Sequence, residues 1–326
     1  MIGIYRASGG ALVKSADGAL DDLAQVVWID MHDPLPAEET AVEAALGVDI
    51  PTHEDMQQIE VSSRLYDEGG ALFLTAQVIA SPEVVEPVIG PVTFVLTKGR
   101  LVTVRYHAPG SFKIFADRAT RQPMGCVSGQ TTLMALLETM VERLADILEG
   151  EARKLDALTK AIFEAHRPNG KAATLAVILQ RIGRAEDLNG KVTESLATIQ
   201  RVLGFVSVPM GHAASAAVEG IDKGRLKVLV RDVRALTETA GVQSRKILFQ
   251  LDATLGVINI RQADIIKIFS VVAFVFLPPT LIASVYGMNF VHMPELKWVW
   301  GYPMALGLML LSAVIPWAIF RARKWL

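Results

Sequence analysis

Two runs near the carboxyl end of this 326-residue chain, Ile268–Tyr286 and Val299–Phe320, contain no charged residue. Each is close to the roughly 20 residues a helix needs to cross a hydrocarbon core about 30 Å thick. Lipid offers backbone N–H and C=O groups no partners, so such segments span as helices that satisfy themselves. Arg261 and Lys267 precede the first run, Arg321, Arg323 and Lys324 follow the second, and the connector carries one lysine, Lys297. The excess of cations at the outer ends of the pair predicts cytoplasmic termini and an external connector. Trp298, Trp300 and Tyr302 suit an outer aromatic belt and Trp325 an inner one.

The rest of the chain limits the function classes. A formal net charge of −2 argues against a nucleic-acid partner, which calls for a basic face. One cysteine, Cys126, excludes an internal disulfide framework and a cysteine-rich zinc module. The start, MIGIYRASGGALVKSADG, lacks the basic and apolar regions of a cleavable signal, so the long amino-terminal part is expected in the cytoplasm. Basic residues before Gly90 are only Arg6, Lys14 and Arg64, against many acids, among them Asp30, Glu83 and Glu86. Such a surface is either simply solvated or made to meet divalent cations.

Strand and helix signals alternate first. Val26–Asp30 and Ala71–Ala80 read as strands, Pro36–Gly47 as a helix with early acids and a glycine stop, and Val92–Tyr106 as a hairpin turning at Lys98-Gly99-Arg100. They predict an α/β domain over 1–125. Helical spacing follows from Thr131 towards His166 and from Ala172 to Val208, with breaks at Pro168-Asn169-Gly170 and Pro209-Met210-Gly211. A third helical stretch begins near Ile221 and meets no proline before Pro278. Read to Tyr286 it reaches about 100 Å, which calls for a bundle, a coiled coil or a membrane. The predicted class is therefore an α+β membrane protein: the α/β domain, a helical bundle and long stalk over 126–267, spans at 268–286 and 299–320, a connector at 287–298 and a basic tail at 321–326.

Two helices cannot enclose a path for a polar solute, but symmetric copies can. An alternating four-three step from Asp252 marks Asp252, Gly256, Asn259, Ala263, Ile266, Ser270, Ala273, Leu277, Thr280, Ser284 and Gly287, nearly all small or polar. The neighbouring stripe, Leu251, Leu255, Ile258, Ile265 and Phe269, is bulky and apolar. A sustained seven-residue period keeps one face on a common axis, and small residues in lipid mark either close packing or a lumen. Asp252, Asn259, Ser270, Thr280 and Ser284 favour the lumen, because their polar atoms need water or an ion there. Ile266 and Leu277 would be apolar rings able to close it by dewetting. Pro278-Pro279 removes backbone donors beside the second ring and predicts a bend or loosening.

Gly287-Met288-Asn289 follows directly, at the outer mouth. Glycine permits a left-handed end to the helix. A ring of asparagine amides can hold the water shell of a cation without stripping it, which suits Mg²⁺, an ion that dehydrates reluctantly.

The stretch Asn259–Pro303, with YGMNF after the first span and then MPELKWVWGYP, together with the KWL terminus, resembles the CorA family of divalent-cation transporters. IIKIFSVV and FLPPTLIAS look like its proteobacterial magnesium and cobalt branch. The resemblance implies a funnel-shaped homopentamer in the bacterial inner membrane, five first spans lining one pore. It puts the selectivity filter on Gly287, Met288 and Asn289, and pore-lining roles at Asp252, Ile266, Ser270, Leu277, Thr280 and Ser284. Ala263 stands where the family often has an asparagine. Family members also sense cytoplasmic Mg²⁺ through carboxylates between subunits; Glu83, Glu86, Asp222 and Asp232 lie near the expected segments.

The expected function is Mg²⁺ influx driven by the membrane potential, with Co²⁺ admitted and Ni²⁺ or Zn²⁺ as further candidates. Mg²⁺ is then substrate and regulator, and no prosthetic group or enzyme activity is expected. A zinc transporter is the alternative within the class, although relatives of that kind tend to depart from the Met-Asn-Phe and Met-Pro-Glu-Leu that this chain keeps. A membrane-anchored scaffold or sensor without a pore is the alternative outside it. Histidines at 32, 53, 107, 166 and 212 lack metal-ligand spacing, and His292 falls in the connector.

Overall fold

A computed structural model describes residues 1–15, 23, 25–58, 60, 64–80, 87–165, 172–207, 217–288, 293 and 297–323. It divides into two compact units, 1–251 and 252–326.

The first unit is built on a seven-stranded sheet: β1 (Ile2–Ser8), β2 (Ala11–Lys14), β3 (Val26–His32), β4 (Leu65–Glu68), β5 (Ala71–Ala80), β6 (Val88–Thr97) and β7 (Arg100–Arg105). Their order is β2-β1-β3-β7-β6-β5-β4, and only β3 and β7 run parallel. On one face lie α1 (Pro36–Leu46) and α2 (His53–Gln57); on the other lie α3 (Gly110–Arg121), α4 (Gly129–Ala165) and α5 (Ala172–Ser207). Cover on both faces is why all of β5 is buried and its sequence is nearly all apolar, Thr75 and Gln77 excepted. Leu72 and Leu74 enter the core beneath α3–α5, while Ala71 and Phe73 enter the core beneath α1 and α2. Each buried Leu or Phe side chain of this kind contributes about 1.5–3 kcal/mol.

The expected hairpin is present. Lys98 and Gly99 both adopt positive φ, 46° and 78°, the two-residue turn whose twist matches the flanking strands. The strands β1, β2 and β4 and the helices α2 and α3 escaped the sequence reading. β1, β2 and β4 are edge or near-edge strands with weak alternation, and α2 has only 5 residues.

Asp30, counted among the surface acids, is buried instead. Its carboxylate accepts from Arg105 Nε (3.0 Å) and Nη2 (2.8 Å) and from Thr103 Oγ1 (2.8 Å), and Thr103 Oγ1 accepts from Trp28 Nε1 (3.0 Å). The parallel pairing of β3 and β7 sets Asp30 opposite Thr103, so the acid has a built partner set that spacing could not disclose.

Helix α6 (Lys223–Tyr286) is the long third stretch, and α7 (Gly301–Ala322) is the second apolar run. Both are long and apolar enough to cross a membrane, and only 6% of each apolar window is buried. In the second unit the Phe274 and Phe320 rings lie 5.9 Å apart.

Candidate functional site

The apolar part of α6 has two sides. Val271 is buried, and Val275, Pro278, Ile282 and Tyr286 are partly shielded. Each lies two residues from a member of the small and polar stripe: Ala273, Leu277, Thr280 and Ser284, all exposed. At about 100° per residue, two residues are 200° of arc, so the stripe lies opposite the shielded side. Within this unit the stripe is therefore not the surface against which the second span packs. Ala273, Leu277, Thr280 and Ser284 share one open groove of about 560 Å³ with Val272, Phe276 and Leu281. Ile266 and Leu277 are 58% and 69% exposed, and Asp252 and Asn259 also face outward.

Two expectations about this face need correction. Ser270 Oγ donates to Ile266 O at 2.8 Å, and Thr280 Oγ1 donates to Phe276 O at 2.7 Å. Their hydroxyl hydrogens are satisfied one turn back along the helix, so neither needs water or an ion for its donor; only oxygen lone pairs remain on offer. Nor is Gly287 left-handed, since the glycines of positive φ do not include it. Its N–H donates to Ala283 O at 2.9 Å, and a Cβ there would stand 3.0 Å from the same carbonyl. Close approach of backbone, not handedness, is what makes glycine fit.

Helix α6 runs on through Pro278 and Pro279 to Tyr286. Proline has no N–H, so the carbonyls of Phe274 and Val275 lose their donors from four residues ahead. Met288 is 46% exposed. Asn289, the third residue of the motif, lies outside the described residues, as do Glu83 and Glu86.

The other two suspected acids come together. Asp222 and Asp232 line one open cleft of about 810 Å³ with Glu138, Glu142 and Arg225, and Val141, Val228 and Leu229 are among its apolar lining. Much of this charge is committed. Asp222 Oδ1 caps the start of α6, accepting from the backbone N–H of Gly224 (2.7 Å) and Arg225 (3.3 Å). Arg225 grips Glu138 with two bonds of 2.9 and 2.5 Å, which push the guanidinium pKa up. Glu142 pairs with Arg118 at 2.6 Å, and Asp232 lies 3.5 Å from Arg231. Among the described residues no group of three His, Cys, Asp or Glu side chains could hold a metal ion. The Arg225–Glu138 clamp was missed by the sequence reading, because its members stand 87 positions apart.

The model of the family described as "CorA-like Mg2+ transporter protein" matches residues 24–323. Two curated relatives, each called magnesium transport protein CorA, come from Yersinia pseudotuberculosis and Escherichia coli K12. Each is 32% identical over 326 residues, which is 100% of both chains. Among solved structures, the complete CorA magnesium transporter of Methanocaldococcus jannaschii superposes with a TM-score of 0.77 at 17% identity, covering 100% of this chain and 99% of that one. At that identity the superposition speaks for the fold alone.

Proposed function

This chain belongs to the CorA family of Mg²⁺ transporters, and from that premise we propose that it carries Mg²⁺ through a membrane along the stripe of its first span. The observation that supports this most is the stripe on α6: mostly small or polar residues at a seven-residue period, of which Ala273, Thr280 and Ser284 turn away from the side that the unit itself shields, while Ser270 is half-buried. A face of that composition suits a shared axis among copies of the chain.

The finer reading is a homopentamer in the bacterial inner membrane with both termini cytoplasmic. Gly287, Met288 and Asn289 form its filter. Asp252, Asn259, Ser270, Ala273, Thr280 and Ser284 line the path, which Ile266 and Leu277 close. The membrane potential supplies about 2.3 kcal/mol per charge per 100 mV, twice that for a divalent ion, so no second energy source is needed. Co²⁺ is admitted for its similar size and hydration. Cytoplasmic Mg²⁺ favours the closed state by binding it better than the open one. The cleft that holds Asp222 and Asp232 is the reading's place for that ion, with Glu83 and Glu86 as the other candidates.

The test is ion flux into liposomes holding the purified protein, under an inside-negative potential, with Mg²⁺, Co²⁺, Ni²⁺ and Zn²⁺ compared. Mg²⁺ and Co²⁺ should enter. Zn²⁺ entry alone, coupled to protons, would favour the zinc-transporter reading. Fluxes no greater than in protein-free liposomes would leave an anchored scaffold or sensor.

A further inference from the structure

Residues 226, 229, 233, 236, 240, 243, 247 and 250 of α6 follow an unbroken three-four spacing, one helix face for some 25 residues. This face packs on α4 and α5, but its chemistry changes midway. Leu226, Leu229, Val233 and Leu236 make the upper half; Ala240, Gln243, Ile247 and Gln250 make the lower half. Gln243 and Gln250 are 6% and 1% exposed, as buried as the leucines above them.

The amides of the lower half bond to main chain. Gln243 Nε2 donates to Leu148 O at 2.8 Å, and Gln250 Nε2 to Leu155 O at 2.6 Å and Thr159 Oγ1 at 2.7 Å. From the other side Asn189 Nδ2 donates to Ala240 O at 3.2 Å. Donors seven residues apart on α6 thus meet acceptors seven apart on α4. Those carbonyls already serve their own helix, so the bonds are extra ones. Meanwhile Asn189 Oδ1 and Gln243 Oε1 are buried with no partner among the described residues.

An apolar seam resists opening because water gains nothing from its surface. The lower seam differs in kind, because alongside Ala240 and Ile247 it carries the amides of Gln243 and Gln250. Water can replace each amide-to-carbonyl bond, and opening returns a partner to the two deprived oxygens. We propose that the lower stalk, residues 240–250, opens from α4 and α5 as a local unit while 226–236 stays docked, and that Asn189, Gln243 and Gln250 form the hydratable seam that permits it. The proposal rests on residues 1–251 and does not depend on which ion is carried. Local opening at the low-stability end of a fold is where moving elements are drawn from.

The test is side-chain accessibility in the full-length protein in lipid nanodiscs. Val233→Cys and Ile247→Cys, each with Cys126→Ser, place one thiol at a site 0% or 2% exposed in the upper or lower seam. A water-soluble maleimide should label the Ile247→Cys protein at least tenfold faster than the Val233→Cys protein. Adding Gln243→Leu and Gln250→Leu should slow the lower site at least fivefold and leave the upper one unchanged. Equal rates at the two sites, or faster labelling with the leucines, would overturn the proposal. Should a variant fail to fold, amide exchange of the parent decides: residues 240–250 must exchange faster than 226–236, and equal protection refutes it.

Discussion

The two units obey opposite rules for where apolar side chains go. In residues 1–251, Trp28, Phe94 and Phe115 are fully enclosed by a sheet with helices on both faces. In residues 252–326, Phe269, Phe276, Leu277 and Leu310 are 71, 65, 69 and 68% exposed. The first unit encloses most of its large apolar side chains within itself, with exceptions such as Leu248 and Phe249 on α6, 54 and 57% exposed. The second is completed by what surrounds it, so exposure alone does not distinguish a lipid-facing side from a water-facing one. Chemistry has to do that, and the proposed path rests on the small and polar stripe of α6 for it.

The comparison is sharpest where function and folding part company. Asn289→Ala is expected to abolish nearly all Mg²⁺ uptake while leaving assembly intact, because on the proposed reading its amide serves to recognise a hydrated ion. Flux into liposomes, set beside gel filtration in detergent, checks it; normal uptake would remove Asn289 from the filter. Asp30→Ala should do the reverse. It strands Arg105 in the sheet without its bidentate partner, a loss of about 3–5 kcal/mol. Thermal unfolding should fall by on the order of 10 °C, while flux per folded molecule stays near the parent's. Flux lost in proportion to nothing but Asp30 itself would mean that the two units are not energetically separable in this way.

Leu277→Gly and Val275→Gly carry the contrast into one helix. Each costs about 1 kcal/mol of helix propensity. Only Leu277 belongs to the stripe, so if it is the proposed apolar ring and internal Mg²⁺ closes the path as proposed, only its loss should let Mg²⁺ leak at internal concentrations that close the parent. Equal leaks from both variants would show that helix weakening, not an apolar ring, is responsible.

What the sequence disclosed follows the same division. Lipid imposes a length and a charge-free composition on a spanning helix, so the helices that carry the two apolar runs end within about two residues of those runs at Tyr286, Gly301 and Ala322. The stripe was legible because a helix converts spacing into direction. Its hydrogen bonding was not: the back-bonding of Ser270 and Thr280 depends on rotamers, and the close fit of Gly287 on Ala283 depends on backbone approach. In the sheet unit β5 and the β6–β7 hairpin were plain from apolar runs and turn chemistry. Asp30 and Arg105 could not be paired on paper, since the contact exists only once β3 lies beside β7. Likewise, Asp222 looks like any surface acid until α6 begins directly after it and takes it as a cap.

The smallest expected effect belongs to the first unit alone and concerns protons. His107 Nε2 lies 2.9 Å from Val78 O, which places the ring hydrogen on Nε2. Burial pushes the imidazole pKa down first, and the neighbouring charges of Arg105, His32 and His53 push the same way, against the Val78 bond. His32 is lowered as well, again by burial before the Arg105 charge. A base whose pKa is lower folded than unfolded binds its proton later in the folded state. Its contribution is therefore full above the unfolded value near 6.5 and is lost as pH falls through that value towards the folded one. The slope for one such group cannot exceed about 1.4 kcal/mol per pH unit. Unfolding temperature should accordingly be level above pH 7 and decline below about 6.5, and His107→Gln should flatten the first part of that decline without removing it, because His32 remains. The measurement is a set of melts between pH 5 and 8 on both proteins. An unchanged slope in the variant would mean that His107 takes up its proton as readily folded as unfolded, and that the sheet unit does not exclude charge at this position as its burial requires.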